Sequence, residues 1–320
     1  MEQTIEIVNR VLPILLLISL GLWIRHKEFL TEQTIDELRK VVVNITLPAV
    51  LFISFLNVEL KSAYFVIFVV LFLLCVALFF LGKIIKKQFN IRYAYFPYLT
   101  TGFEYGMLAV SLFGAAYGLD KIGYIAVVDL GHEIFIWFVF LPLLLIKRDG
   151  AQDTKEIVKT FASTPVVIAI LASLLLNTIG LGESLYQLPI MGGIMATLNF
   201  LSPLTIPLIL IIVGYGVKIN KEGLREAIVV AAVRLVIMIP LALVLNIYLI
   251  RNSLGLEKFF EIAMFTLLIM PPPFIIPLYA SKTLDIEEKS YINNVLTVHT
   301  VISVVIFLVY FFLDSLAGKL

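Results

Sequence analysis

The 320-residue chain is 61% hydrophobic and 15% charged, with a mean hydropathy of +1.03. A soluble domain carries about 45–50% apolar and about 25% charged residues, so the hydrophobic core of one soluble domain cannot bury this much apolar surface. The composition indicates an all-α integral membrane protein, for which lipid is the solvent. A net charge of +1 gives no reason to expect a nucleic-acid partner, and a single cysteine, Cys75, excludes an intrachain disulfide.

Ten apolar segments, each able to cross about 30 Å of hydrocarbon, divide the chain at its charged clusters. The first is too long for a signal-peptide core, so we expect it to be retained. The second is expected to extend from a water-exposed helix, because Thr34 and Glu37 are spaced as a capping box. The longest polar linker runs from Lys147 to Thr160. The predicted spans are 7–24, 40–57, 63–82, 93–117, 122–146, 161–181, 194–217, 226–250, 259–281 and 290–313.

Lysine and arginine residues are concentrated in the loops that follow the odd-numbered spans. Short loops rich in these residues stay in the cytoplasm, so we predict a multi-pass protein of the cell membrane with both termini extracytoplasmic. The odd loops hold Arg25, Lys27, Arg39, Lys40, Lys83, Lys86, Lys87, Arg92, Lys147, Arg148, Lys155, Lys159, Lys218, Lys221, Arg225, Lys282 and Lys289, whereas the even loops and the ends hold Arg10, Lys61, Lys121, Arg251, Lys258 and Lys319.

A weak internal repeat relates the two halves of the chain. The motif Thr46-Leu47-Pro48 in span 2 returns 159 residues later as Thr205-Ile206-Pro207 in span 7. Two halves of five spans each enter the membrane in opposite orientations, which is the inverted repeat of secondary transporters. We predict the first repeat over residues 1–150 and the second over residues 151–320. The same order is kept by Gly118-Leu119-Asp120 with Thr283-Leu284-Asp285, and by Tyr124-Ile125 with Tyr291-Ile292.

Spans 4 and 9 occupy equivalent positions in the two repeats, and both contain residues that interrupt an α-helix. Span 9 carries Pro271-Pro272-Pro273 at its midpoint, which removes three N–H donors. Span 4 carries Gly102 and Gly106 on either side of Glu104. Two crossed, interrupted helices aim N–H groups at anions and free carbonyls at cations. The sequence therefore predicts a substrate site at this pair of interrupted helices.

Polar residues at membrane depth supply the other candidate site residues, because a charge in the hydrocarbon region is costly and usually functional. For Arg234, charge balance and substrate contact both remain open; for His299, a hydrogen-bonded structural role remains open beside charge balance. The candidates for coupling to H⁺ or Na⁺ are Glu104, Asp129, His132 and Glu133, of which the last three share one helix face. The substrate-binding candidates are Asn44, Thr100, Thr101, Gly102, Glu104, Gly106, Pro271, Pro272 and Pro273.

Two segments resemble the auxin efflux carrier family, which includes plant PIN carriers and prokaryotic organic-anion permeases. They are LPILLLISLG at residues 12–21 and KVVVNITLPAVLF at residues 40–52. The resemblance implies a fold like that of sodium/proton antiporters and bile-acid symporters, with spans 1, 2, 6 and 7 as a scaffold and spans 3–5 and 8–10 as a mobile transport domain. Span 4 departs from the family pattern, since residues 100–104 read TTGFE where the family has an Asn-x-Gly stretch, and no Gly-x-Pro follows.

These features predict a secondary transporter of a small organic anion, carboxylate or auxin-like, that uses elevator-like alternating access coupled to H⁺ or Na⁺. The alternative is a monovalent cation/proton antiporter or sodium-coupled symporter of the same fold. We expect no enzyme, because HExxH and GxSxG motifs are absent. Asp129, His132 and Glu133 have the spacing of metal ligands, but neither a metal nor another cofactor is expected. A homodimer through the scaffold helices is a candidate assembly.

Overall fold

A computed structural model describes residues 2–56, 61–149, 163–182, 184–280 and 284–316 of the chain. Within these residues all regular secondary structure is helical. Most of the predicted linker from Lys147 to Thr160 lies outside them, as does Thr283 of the predicted repeat. The described helices are α1 (Glu2–His26), α2 (Glu32–Leu56), α3 (Ala63–Gln88), α4 (Phe96–Leu99), α5 (Tyr105–Tyr117), α6 (Leu119–Arg148), α7 (Pro165–Thr178), α8 (Met191–Gly216), α9 (Leu224–Ser253), α10 (Lys258–Leu268), α11 (Ile275–Ala280) and α12 (Ile286–Leu316).

Six helices of the described segments are long and apolar enough to cross a membrane: α2, α3, α6, α8, α9 and α12. Helices α5 and α7 are apolar but shorter. Large apolar side chains point away from the protein, such as Phe65 and Phe80 of α3, which are 69% and 58% exposed. Such a surface is stable only against lipid. The described residues therefore contain six candidate spans, against the ten that the hydropathy pattern predicts for the whole chain.

The start of α2 differs from the sequence prediction. Thr31 caps the helix, and its hydroxyl accepts a hydrogen bond from the Thr34 amide at 3.1 Å. The capping box predicted at Thr34 is therefore wrong, because Thr31 is an equally good cap and allows one more helical turn. A π-helical turn at residues 42–46 precedes Pro48, at the point where the proline ring interferes with the preceding turn.

The most extensive helix contacts fall into two sets. In the first, α1 packs along the second half of α8, and α7 packs along the second half of α2. In the second, α3 packs against α6, α9 packs against α12, and α6 also contacts α10. Tight glycine contacts occur in both sets. A Cβ atom built on Gly214 of α8 would lie 2.0 Å from the Ile18 carbonyl oxygen, and one on Gly131 of α6 would lie 2.0 Å from that of Phe68.

We predict that Gly214→Ala lowers the temperature of thermal unfolding in detergent, because the added methyl group forces α1 and α8 apart. Overpacking of this kind costs about 1–3 kcal/mol. The matched control is Gly193→Ala on the same helix, where a Cβ atom meets no other atom within 4 Å. This control should be neutral or slightly stabilising, since alanine is the better helix former. Equal melting temperatures for the two variants would contradict the close approach of α1 and α8.

Candidate functional site

The two helix interruptions, between α4 and α5 and between α10 and α11, cross each other. The Glu104 amide donates a hydrogen bond to the Pro271 carbonyl at 2.8 Å. Gly102 has a φ of +71°, and a Cβ atom at this residue would lie 2.8 Å from Cγ of Pro273. Glycine is therefore needed at position 102 both for its backbone conformation and for the close contact with the proline segment.

The Glu104 carboxylate joins the two interruptions where each leads into its following helix, α5 or α11. Its Oε1 accepts a hydrogen bond from the Met107 amide at 3.1 Å, and its Oε2 accepts one from the Phe274 amide at 2.5 Å. Because prolines have no N–H group, Phe274 has the first amide donor after the three prolines of the second interruption. Glu104 is 7% exposed. A buried carboxylate thus pairs with backbone donors on both sides of the crossing.

Arg234 of α9 supplies the complementary donors to the carbonyls that precede the crossing. Its guanidinium donates to the carbonyls of Leu99 at 3.3 Å and Met270 at 3.4 Å, and also to that of Gly102. It also lies 5.0 Å from the centre of the Phe103 ring. Carbonyls at helix C-terminal ends carry partial negative charge, which a buried cation stabilises. Among the described residues no carboxylate lies within 4.0 Å of this guanidinium, so its contacts are with the backbone.

His132 of α6 connects the first interruption to an acid. Its Nε2 accepts a hydrogen bond from the Phe103 amide at 2.9 Å, so Nε2 is unprotonated in this arrangement. The neutral ring therefore carries its proton on Nδ1 and donates it to Asp129 at 2.7 Å. Both residues are 2% exposed.

Glu133 extends this group toward solvent. It accepts a hydrogen bond from the Trp137 indole N–H at 2.8 Å. Possible ligand atoms of Asp129, His132 and Glu133 lie within 4.8 Å of one another, as a metal site requires. Both ring nitrogens of His132 are engaged, however, so a metal would have to displace one of their partners.

His299 of α12 supports the second interruption. Its Nδ1 donates to the Ser303 hydroxyl at 2.9 Å, and that hydroxyl donates to the Ile269 carbonyl at 2.5 Å. The Nε2 atom of His299 is buried and has no hydrogen-bond partner among the residues that the structure describes. His299 thus has a hydrogen-bonded role at the end of α10.

A cavity of about 570 Å³ reaches the crossing from the side of the odd-numbered loops, which are predicted to be cytoplasmic. Its mouth contains charges of both signs, including Arg25, Asp36 and Lys218. Its inner end is acidic and aromatic. The lining there includes Phe103, Glu104, Tyr105, Gly106, Met107, His132, Glu133, Trp137, Pro273 and Phe274.

Not all predicted site residues line this cavity. Glu104, Gly106, His132, Glu133 and Pro273 do, while Gly102, Asp129, Pro271 and Pro272 are packed behind them.

The hydroxyls of Thr100 and Thr101 donate to the Pro97 carbonyl at 3.0 and 2.9 Å and so complete the end of α4. Asn44 lies apart from the group: it is exposed, and its amide donates to the Lys40 carbonyl at 2.8 Å.

Several residues of the site were missed by sequence reasoning. The Phe274 amide could have been identified, since it is the first donor after three prolines. No motif indicates Ser303 or Trp137, because their link to the site is a hydrogen bond of each with a candidate residue, His299 and Glu133 respectively.

We predict that Arg234→Met destabilises the protein strongly, because each carbonyl left without its donor costs about 1–3 kcal/mol. Arg234→Lys should fall between wild type and Arg234→Met, since one ammonium cannot span three carbonyls. Arg225→Met removes an exposed arginine from the same helix and should change the melting temperature little. Thermal unfolding in detergent measures all three variants, and a wild-type melting temperature for Arg234→Met would contradict the role of these contacts.

One known protein provides a comparison over most of the chain. The chain is 26% identical over 262 residues to an uncharacterized transporter of Methanocaldococcus jannaschii, a match that covers 78% of this chain and 81% of that protein. No protein-family model matches the chain. Together with the six long apolar helices, this similarity supports a multi-pass membrane protein.

Proposed function

We propose that the chain is a secondary active transporter that gives alternating access to the buried site at Glu104. The observation that carries this proposal is a cavity that enters from one side and ends on ionisable residues at the crossing of two interrupted helices. Secondary transporters place their sites at such crossings. The relative from Methanocaldococcus jannaschii, which is called a transporter, supports the same reading.

The proposed architecture has ten spans in two inverted repeats, as in the auxin efflux carrier family. Besides the six long helices, α1, α7 and the interrupted pairs α4–α5 and α10–α11 would each form one span. The packing supports this. In the proposed repeat α1 corresponds to α7, α2 to α8, α3 to α9 and α6 to α12. The contact of α1 with α8 therefore has its equivalent in that of α7 with α2, and the contact of α3 with α6 in that of α9 with α12. The first set would be the scaffold, and the second set the moving transport domain.

The charges around the crossing favour a cation as the transported species. Three carboxyl groups lie there, those of Glu104, Asp129 and Glu133. Only one cationic group lies near them, the guanidinium of Arg234, since His132 is neutral. Protons or a monovalent cation would balance the surplus of carboxyl groups. A bound organic anion would add negative charge in a region where uncompensated charge is costly. We therefore propose exchange of a monovalent cation for protons.

The second candidate is an organic anion that moves together with protons. The amides of Met107 and Phe274 are suitable donors for a substrate carboxylate, but Glu104 occupies both of them. A substrate carboxylate would therefore bind only after Glu104 is protonated and displaced. The resemblance to organic-anion permeases in residues 12–21 and 40–52 favours this candidate.

A flux experiment separates the two candidates. Purified protein is reconstituted into liposomes that contain a pH-sensitive dye and an acidic buffer. External Na⁺, Li⁺ or K⁺ should raise the internal pH, because each entering cation is exchanged for protons. If the cations have no effect and a labelled carboxylate instead accumulates along an inward proton gradient, the organic-anion candidate replaces cation exchange.

We predict that Glu104→Gln abolishes exchange, because glutamine cannot bind and release a proton. Asp129→Asn and Glu133→Gln should each reduce exchange and change its dependence on pH. Glu37→Gln, which alters an exposed glutamate of α2, is the control and should retain the wild-type rate. Retention of the wild-type rate and pH profile by Glu104→Gln and Asp129→Asn together would refute proton coupling at this site.

A further inference from the structure

A second cavity, of about 520 Å³, lies on the side of the even-numbered loops. It is bounded by α2 and α8 on one side and by α6 and α10 on the other, so it lies between the proposed scaffold and the proposed transport domain. Its lining is polar where the helices face each other. Residues there include Ser54, Tyr124, Asn199, Ser202 and Glu257.

Only a thin layer of protein separates the two cavities. On α2, Leu47 lines the first cavity and Val50 lines the second, a rise of about 5 Å along the helix. On α6, His132 lines the first cavity and Val127 the second, a rise of about 8 Å. Asp129, 2% exposed, lies within that interval. We call this layer the septum.

The scaffold helices place two hydroxyl groups at the septum. Thr46 directly precedes Leu47 on α2, and Thr205 lies on α8 two residues after Pro203 of the second cavity. These threonines are 1% and 0% exposed, and neither hydroxyl has a hydrogen-bond partner in the described part of the chain. The π-helical turn that ends at Thr46 packs against α8, so the two threonines lie where these helices meet.

Unpaired threonine hydroxyls are unusual in helices, since they normally donate to the carbonyl one turn earlier. Thr197 of α8 does so to Gly193 at 2.9 Å, and Thr178 of α7 does so to Leu174 at 2.7 Å. Thr266 of α10 also lacks a partner, but it belongs to the proposed transport domain. Thr46 and Thr205 instead occupy the same position of the repeated Thr-[Leu/Ile]-Pro motif, one in each half of the scaffold.

We infer that Thr46 and Thr205 form the stationary half of a site for an alkali cation, which their hydroxyl oxygens contact as it crosses the septum. Hard cations prefer oxygen ligands, and each hydroxyl offers lone pairs that no protein group uses here. The Glu104 group would supply the moving half. A pair related by the repeat would meet the ion equivalently from either side of the membrane. This inference rests on the proposed cation exchange.

The first test uses Thr46→Val, Thr205→Val and the double variant, since valine keeps the shape of threonine without its hydroxyl. Each single variant should slow Na⁺/H⁺ exchange in liposomes about tenfold, the ratio that corresponds to about 1.4 kcal/mol of transition-state stabilisation. The rise in melting temperature on adding Na⁺ should stay unchanged, because Glu104 still binds the ion. Thr46→Ser and Thr205→Ser should keep the rate, and so should Thr197→Val, which alters a threonine of α8 whose hydroxyl is already paired.

The outcomes distinguish this inference from the proposed function. If the wild-type protein exchanges cations and the double variant does so at the same rate, the threonine site is wrong while cation exchange stands. Serine variants as slow as the valine variants would equally contradict a role for the hydroxyls. If the wild-type protein exchanges no cation, the proposed exchange and the ion site fail together.

A second test locates the septum without reference to a substrate. Cys75 is the single cysteine of the chain and is fully buried. Thr46→Cys in a Cys75→Ala background therefore carries one thiol, at the septum. A membrane-impermeant thiol reagent applied to sealed vesicles should modify it from either side. Modification from one side only, or from neither, would overturn the placement of Thr46 between two alternately open cavities.

Discussion

Backbone groups at the two helix interruptions have no partners within their own helices, and in a membrane no lipid can replace them. Charged side chains take their place. Glu104 accepts from the amides of Met107 and Phe274, while Arg234 donates to carbonyls at both interruptions. The need to satisfy the backbone hydrogen bonds therefore brings a carboxylate and a guanidinium to the same crossing. The rest of the site is assembled around this pairing, with His132 on the Phe103 amide and Ser303 on the Ile269 carbonyl.

This arrangement ties a change of charge to a change of backbone pairing. Glu104 in its ionised form has two good acceptor oxygens, and both are used. A proton on one oxygen turns that oxygen into a donor and a weaker acceptor, so the hydrogen bond from its amide weakens. Protonation or ion binding at Glu104 would thus loosen the link between α5 and the segment before α11. A transporter needs its ligand to act on a structural element in this way, because a ligand shifts a conformational equilibrium only by its differential affinity for the two states.

Local features of the sequence indicate parts of this site, and distant contacts supply the rest. Three prolines and a mid-span acid between glycines mark the two segments by their own chemistry. The role of Arg234 depends on Leu99, which is 135 residues away, and no periodicity links such residues. Asn44 was selected for its nearness to Pro48, yet adjacency in sequence does not decide which face of a helix a side chain occupies. The six long helices are fewer than the ten predicted spans in part because interrupted helices such as α4 and α5 are each too short to cross a membrane alone.

The two proposed repeats are alike in the proposed scaffold and different at the crossing. Thr46 and Thr205 keep the same motif and the same unpaired hydroxyl, whereas one interruption is built from glycines and an acid and the other from prolines. A stationary element that meets a ligand from both sides of the membrane benefits from symmetry. The proposed moving site does not, because its single carboxylate pairs with donors from both interruptions. One segment therefore carries the charge and the other carries none. A second acid at the proline interruption would face Glu104 across the crossing and would separate the two segments by charge repulsion.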